Sequence, residues 1–135
     1  MNYEIKAYRH YDAAEILPLY QSVGWTNYVD RADRLEEAYQ NSLAILAAYD
    51  GERLVGLVRA VGDGNSIVFI QDLLVLPTYQ RQGIGTGLMR RILEKYKDVY
   101  QIELLTDNTE KSRSFYESLG MKAADKLGCL AYVRM

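Results

Sequence analysis

At 135 residues the chain is long enough for one domain with a real hydrophobic core, and its formal charge of -2 supplies no field that would gather nucleic acid or an anionic membrane. A single cysteine, Cys129, excludes an internal disulfide framework and, with no His/Cys cluster beside it, a zinc site, so no metal is expected and a reducing cytoplasm suits the composition. The opening "MNYEIKAYRHYD" has no apolar core and no run of about 18 apolar residues follows, so neither a signal peptide nor a membrane span is expected.

In chain order, "YEIKAY" alternates as a short strand does. Asp12 and Glu15 form a capping box for a helix running to about Gln21, "GWTNYVD" reads as a loop, and Asp33 with Glu36 repeats the capping signal for a second short helix. "LAILAAY" and "RLVGLVRAV", joined at "DG", predict a hairpin over residues 43–61. "SIVFIQDLLVL" is apolar enough for a central strand covered on both faces, and Pro77 ends it; both prolines are expected at element boundaries. Apolar residues at 84, 88, 92 and 93 predict a helix through "GIGTGLMRRILEKY". "YQIELLT" is the next strand, "TEKSRSFYESLG" a helix stopped by Gly120, and "CLAYVRM" a closing strand, with a further short strand near Met121–Lys126. The order βααβββαβαβ predicts an α/β fold with one sheet and a single domain over 1–135.

The stretch "YQRQGIGTGLM" places three glycines where a strand gives way to a helix. Such a junction leaves free N–H groups at the positive end of a helix, which is an anion site and most simply a phosphate site. Gly83 would also serve as a plain turn, and Gly85 and Gly87 would also permit close helix packing. A Walker loop is excluded because "GTGLM" has no lysine. A dinucleotide fingerprint is disfavoured because Leu88 stands where its third glycine belongs.

Gln80-Arg81-Gln82-Gly83-Ile84-Gly85, fed by "LLVLP", resembles the acetyl-CoA pyrophosphate loop of the GNAT N-acetyltransferase superfamily. "DNTEKSRSFYESLGM" resembles that family's downstream segment, with Met121 in place of the usual aromatic. The resemblance implies the GNAT fold: a central mixed twisted sheet with a splayed parallel strand pair, flanked by about four helices. It implies acetyl-CoA as cosubstrate, held by Gln80, Arg81, Gln82, Gly83, Gly85, Thr86 and Asn108 and by the backbone of Leu74 and Val75. Asn108 would equally serve as a helix cap, and Arg90 and Arg91 are further phosphate candidates. The activity implied is acetyl transfer to a primary amine, small and aromatic or polyamine-like, by direct attack in a ternary complex. A non-catalytic acyl-CoA sensor or a protein N-acetyltransferase would use the same fold. A homodimer is compatible with either.

Acetyl transfer to an amine needs a neutral nucleophile, and an alkyl amine of pKa near 10.4 is neutral in about one molecule in 2,500 at pH 7. Asp72, a lone acid in an apolar strand, is the candidate to bind or relay a proton from that amine, or else a structural acid at a bulge. By resemblance Tyr116 is the acid that protonates the leaving thiolate, and an amide near Val75 meets the oxyanion. Trp25, Tyr28 and Asp30 together suit a flat cationic amine. "LPLYQSVGWTNY" resembles plastid arylalkylamine (serotonin-type) members. His10 reads as a surface residue.

Overall fold

A computed structural model describes residues 2–135, which form two compact units, one ending at Leu105 and the other spanning Thr106–Met135. The larger unit holds a five-stranded mixed sheet: β1 Glu4–Ala7, β2 Ala44–Asp50, β3 Arg53–Gly62, β4 Ile67–Val75 and β5 Gln101–Leu104, in that spatial order. The pairs β1–β2, β2–β3 and β3–β4 are antiparallel, and β4 and β5 are parallel. The β2–β3 hairpin turns at "DG" as its composition demands, with Gly51 at φ 62°.

Four helices belong to this unit: α1 Ala13–Ser22, α2 Thr26–Val29, α3 Ala32–Gln40 and α4 Ile84–Lys95. Asp12 caps α1 by accepting the Ala14 amide at 3.0 Å. Pro18 lies inside α1 rather than at a boundary. Its ring forfeits one backbone hydrogen bond, and the burial of Ile16, Leu19 and Tyr20 on the same helix outweighs that loss. The loop expected at "GWTNYVD" contains the single helical turn α2. Helix α3 consequently begins at Ala32, before the predicted capping box, so Asp33 sits in the first turn and acts on the helix dipole instead of capping. Ile84, Leu88, Met89 and Ile92 form the buried stripe of α4, while Ile16, Leu19, Tyr20 and Leu35 join Leu57 and Leu74 of the sheet in the core between α1, α3 and the strands.

The smaller unit contains α5, Glu110–Ser118, and a 3-10 turn at Ala124–Leu127. Gly120, at φ 85°, stops the helix as predicted. Neither of the two strands expected beyond it forms. Met121–Lys126 leads into the 3-10 turn, and residues 129–135 are exposed and join no sheet. Alternating apolar residues make a segment competent for a strand, but a strand needs a neighbouring edge to satisfy its amides, and pattern alone does not supply one. Among the described residues no helix is long and apolar enough to cross a membrane, and no group of three or more His, Cys, Asp or Glu side chains is placed to hold a metal ion.

Candidate active site

The parallel ladder between β4 and β5 runs from Ile67–Gln101 to Ile70–Leu104 and stops, while β4 continues to Val75. At that point β4 carries a bulge: Ala60 and Arg59, consecutive in β3, oppose Ile70 and Asp72, which leaves Gln71 surplus. From Gln71 to Val75 the side of β4 facing away from β3 therefore has no ladder partner. The predicted parallel pair is present, and its ladder ends where β5 ends, at Leu104 opposite Ile70, next to the bulge.

Past Val75 the chain makes a 3-10 turn at Pro77–Tyr79 and a loop in which Arg81 (φ 66°) and Gly83 (φ 86°) are both left-handed. The amides of Arg81 through Thr86 meet no acceptor among the described residues. Alternating left-handed residues followed by a helix N-terminus make a concave row of N–H groups suited to an anion. A Cβ on Gly83 would meet nothing within 4 Å, so no packing requires the glycine; only its backbone angle and what approaches it do. Gly87 is different. A Cβ there would fall 2.6 Å from the Tyr3 hydroxyl, so this glycine serves packing of β1's lead-in against α4.

The two glutamines of the loop brace it internally. Gln80 Nε2 donates to the Val75 carbonyl at 3.1 Å and Gln82 Nε2 to the Thr78 carbonyl at 3.5 Å. Arg81 is exposed and Thr86 half-buried at the start of α4. The Leu74 side chain is in the core, so only its backbone is on offer to a ligand.

Asp72 is buried and fully engaged. Its Oδ2 accepts from Arg59 Nε at 2.7 Å and from the Tyr20 hydroxyl at 2.7 Å, and its Oδ1 from the Tyr28 hydroxyl at 3.2 Å. The Tyr20 and Tyr39 hydroxyls are 2.9 Å apart, and Arg59 Nη1 donates to Ser42 Oγ at 3.1 Å. Burial works against the Arg59 charge, but the Asp72 carboxylate outweighs it and holds the guanidinium above its ordinary pKa. Burial first, and then the Asp72 charge, push the Tyr20 phenol far up, so it stays a donor. Arg59, Tyr20 and Tyr39 surround Asp72 in a cluster that the sequence reading did not anticipate. The available signal was Arg59 itself, a charge in an apolar strand one hairpin away from another such charge.

Tyr28 links this cluster to the surface, for the exposed Gln71 side chain donates to its hydroxyl at 3.2 Å. Trp25 and Tyr28 are brought together, with ring centroids 6.4 Å apart, and Tyr20 lies 4.9 Å from Tyr28. Trp25 is 36% exposed and is the one large apolar side chain of this group open to solvent. Asp30 caps the end of α2 through its backbone, and its exposed side chain forms no ion pair among the described residues.

In the smaller unit Thr109, not Asn108, caps α5, accepting the Ser112 amide at 3.2 Å. The Asn108 carbonyl oxygen accepts from Arg113 at 2.9 Å, which leaves its amide nitrogen available. Tyr116 is half-buried; burial raises its hydroxyl above the ordinary phenol range, with the Thr106 hydroxyl bond opposing and the Asp107 charge adding. His10 and Cys129 are exposed.

Comparison with known proteins gives a consistent result. The sequence model of the acetyltransferase (GNAT) family matches residues 10–121. The chain is 34% identical over 118 residues to a ycf52-like N-acetyltransferase of Prochlorococcus marinus, covering 83% of this chain and 63% of that protein. It is 28% identical over 125 residues to the histone acetyltransferase TAP1 of Glycine max, covering 83% of this chain and 52% of that protein. The chain thus spans between half and two thirds of the length of these curated relatives. A GNAT-family acetyltransferase structure from Streptococcus pneumoniae superposes with a TM-score of 0.91 at 45% identity, covering 99% of this chain and 98% of that one. A probable acetyltransferase from meticillin-resistant Staphylococcus aureus, at 24% identity, TM-score 0.81 and coverage of 99% and 100%, shares the fold.

Proposed function

The chain belongs to the acetyltransferase (GNAT) family, and on that premise we propose that it transfers the acetyl group of acetyl-CoA to a primary amine by direct attack in a ternary complex. The observation that carries this reading is the stretch of β4 from Gln71 to Val75 left without a ladder partner on its β5 side, upstream of a loop whose amides from Arg81 to Thr86 meet no acceptor among the described residues. Acetyl-CoA supplies an acetyl group already activated as a thioester. The amides and the side chain of Arg81 hold its pyrophosphate, with Gln80 and Gln82 keeping the loop in shape. The unpaired backbone of Leu74 and Val75 accepts the pantetheine arm as a sheet edge accepts a strand, and the free nitrogen of Asn108 bonds an arm carbonyl. Hydrogen bonds to the charged pyrophosphate contribute about twice what neutral backbone bonds do, so affinity depends most on the loop.

Trp25 and Tyr28 receive the acceptor, with Asp30 attracting its positive charge; a flat or aromatic amine suits this surface best. An amide near Val75 meets the oxyanion, and Tyr116 protonates the departing thiolate. Asp72 has three donors on its two oxygens and is shut off from solvent, which favours the structural of its two roles: it fixes Tyr28 and pins the bulge through Arg59. Asp72→Asn keeps the shape and strands the buried Arg59 charge. We expect a loss of about 3–5 kcal/mol and a melting point lower by roughly 10–20 °C. In the same preparation the alkaline rise of kcat/KM should remain where the wild type has it, and a displaced rise would return Asp72 to the amine's proton path.

The reading is tested by thermal shift and by thiol release. Acetyl-CoA at a hundred times its dissociation constant should stabilise the protein by about 2.7 kcal/mol, a melting shift on the order of 10 °C, whereas NADH should give none. A panel of arylalkylamines, polyamines and a lysine peptide then reports the acceptor through free CoA formation. Stabilisation without thiol release from any amine would leave an acyl-CoA sensor, and no stabilisation by acetyl-CoA would overturn the site.

A further inference from the structure

The glycine loop before α4 is braced differently at its two ends. At its entry, Gln80 and Gln82 bond carbonyls five and four residues away, and the Tyr79 hydroxyl donates to Asp50 Oδ2 at the end of β2 at 2.8 Å. At its exit, where α4 begins, the brace comes from the far side of the sequence. The hydroxyl of Tyr3, the residue directly before β1, donates to the Gly83 carbonyl at 3.2 Å, a link between residues 80 positions apart. Among the described residues no other side chain bonds the backbone of residues 83–86. That carbonyl shares a peptide with one of the free amides. The Gly83–Ile84 peptide is planar and trans, so orienting the Gly83 oxygen to one side orients the Ile84 N–H to the other. The Gly83 oxygen also receives the Gly87 amide at 2.9 Å, while the Ile84 N–H meets no acceptor. A hydroxyl on the carbonyl polarises the whole peptide and makes its N–H a better donor.

We propose that Tyr3 is a positioning residue for acetyl-CoA: its hydroxyl, admitted by Gly87, aims the Gly83–Ile84 peptide so that the Ile84 amide meets the pyrophosphate. This rests on the pyrophosphate reading of the loop. Gly83 itself cannot hold the peptide, because it has a left-handed backbone and a Cβ there would touch nothing within 4 Å. The restraint has to come from outside, and Gly87 makes room for it. A Cβ at residue 87 would fall 2.6 Å from the Tyr3 hydroxyl, 3.5 Å from Tyr3 Cζ and 3.3 Å from Ile5 Cδ1. Tyr3 and Ile5 are the half-buried residues that alternate with exposed Glu4 and Lys6, so β1 and its lead-in turn this one face to α4. An interior glycine weakens a helix relative to alanine, and here it admits a hydroxyl to the N-terminus of that helix. Affinity for CoA and stability of the fold therefore respond in opposite directions at residue 87. Alanine strengthens α4, and because the tip of a side chain yields more easily than a helix backbone, it drives the Tyr3 hydroxyl off the Gly83 carbonyl.

The experiment is calorimetry with CoA, together with melting curves of the same preparations, on the wild type, Tyr3→Phe, Gly87→Ala and the double variant. Tyr3→Phe removes only the hydroxyl and should raise the CoA dissociation constant about three- to tenfold, the effect of one hydrogen bond. Gly87→Ala should raise it by a similar factor while its melting point holds or climbs by up to roughly 4 °C. The double variant should bind no worse than either single one, because the same contact is lost only once. A contact that served packing alone would instead make affinity follow the melting point. Undiminished affinity in Tyr3→Phe or in Gly87→Ala overturns the proposal, as do losses that multiply in the double variant. A wild type that binds no CoA overturns the pyrophosphate reading and this inference with it, so the wild type alone tells the two failures apart.

Discussion

Replacing Tyr116 by phenylalanine should lower kcat by about 10²- to 10⁴-fold, the usual contribution of a positioned general acid, with little change in KM. The ring and its packing beside Phe115, at a centroid distance of 4.9 Å, remain, and only the proton is removed. The direction of the phenol's shift supports the assignment. Burial raises it, so Tyr116 stays protonated throughout the neutral range, and its contribution should fade only as the pH climbs through a value above that of an ordinary phenol. Single-turnover rates with an acceptor from the amine panel, measured from pH 6 to 10, provide the check. Full activity in the variant would show that the thiolate departs unaided.

Gly83→Val should weaken CoA binding by roughly 10²- to 10⁴-fold, the loss of about two hydrogen bonds to a charged group. Because a Cβ at Gly83 meets no protein atom within 4 Å, the variant pays little sterically inside the protein. Its φ of 86° is a different matter, for valine there costs about 1–2 kcal/mol, so the melting point should fall by roughly 5 °C while the fold persists. Calorimetry with CoA on the folded variant separates the two effects. Undiminished affinity would mean that the loop's amides bind no pyrophosphate.

How much of this was legible beforehand depended on whether the signal was local. Asp12 before Ala13, "DG" between two apolar runs and Gly83 before α4 each act within a few residues, and each produced the element expected of it. The resemblance pointed to the parallel pair, but the surplus residue at Gln71 appears only when β3 is laid beside β4, because a bulge is a property of two strands. The Arg59–Asp72 pair was hidden for the same reason: each charge alone looks anomalous, and they explain one another only across the ladder. Pro18 went unread because the burial of Ile16, Leu19 and Tyr20 outweighed a breaker, and α2 because a single turn of four residues is too short to show a helical period. "CLAYVRM" misled in the opposite sense, since strand propensity does not say whose edge will be used.

The surplus residue in β4 has a consequence for how this protein tolerates change. The placing of Asp72 and of the rest of β4 against β3 is encoded as a count of residues and only secondarily as their chemistry. Gln71 points to solvent, so most side chains there would leave the backbone path as it is. Deleting it would shift Asp72 into the place that Gln71 holds and turn every later side chain of β4 to the wrong face. The position should therefore be permissive to point substitution and intolerant of shortening. A library sampling both kinds of change would show a sharp asymmetry at one site, where frame length, and not side-chain identity, is what the fold keeps.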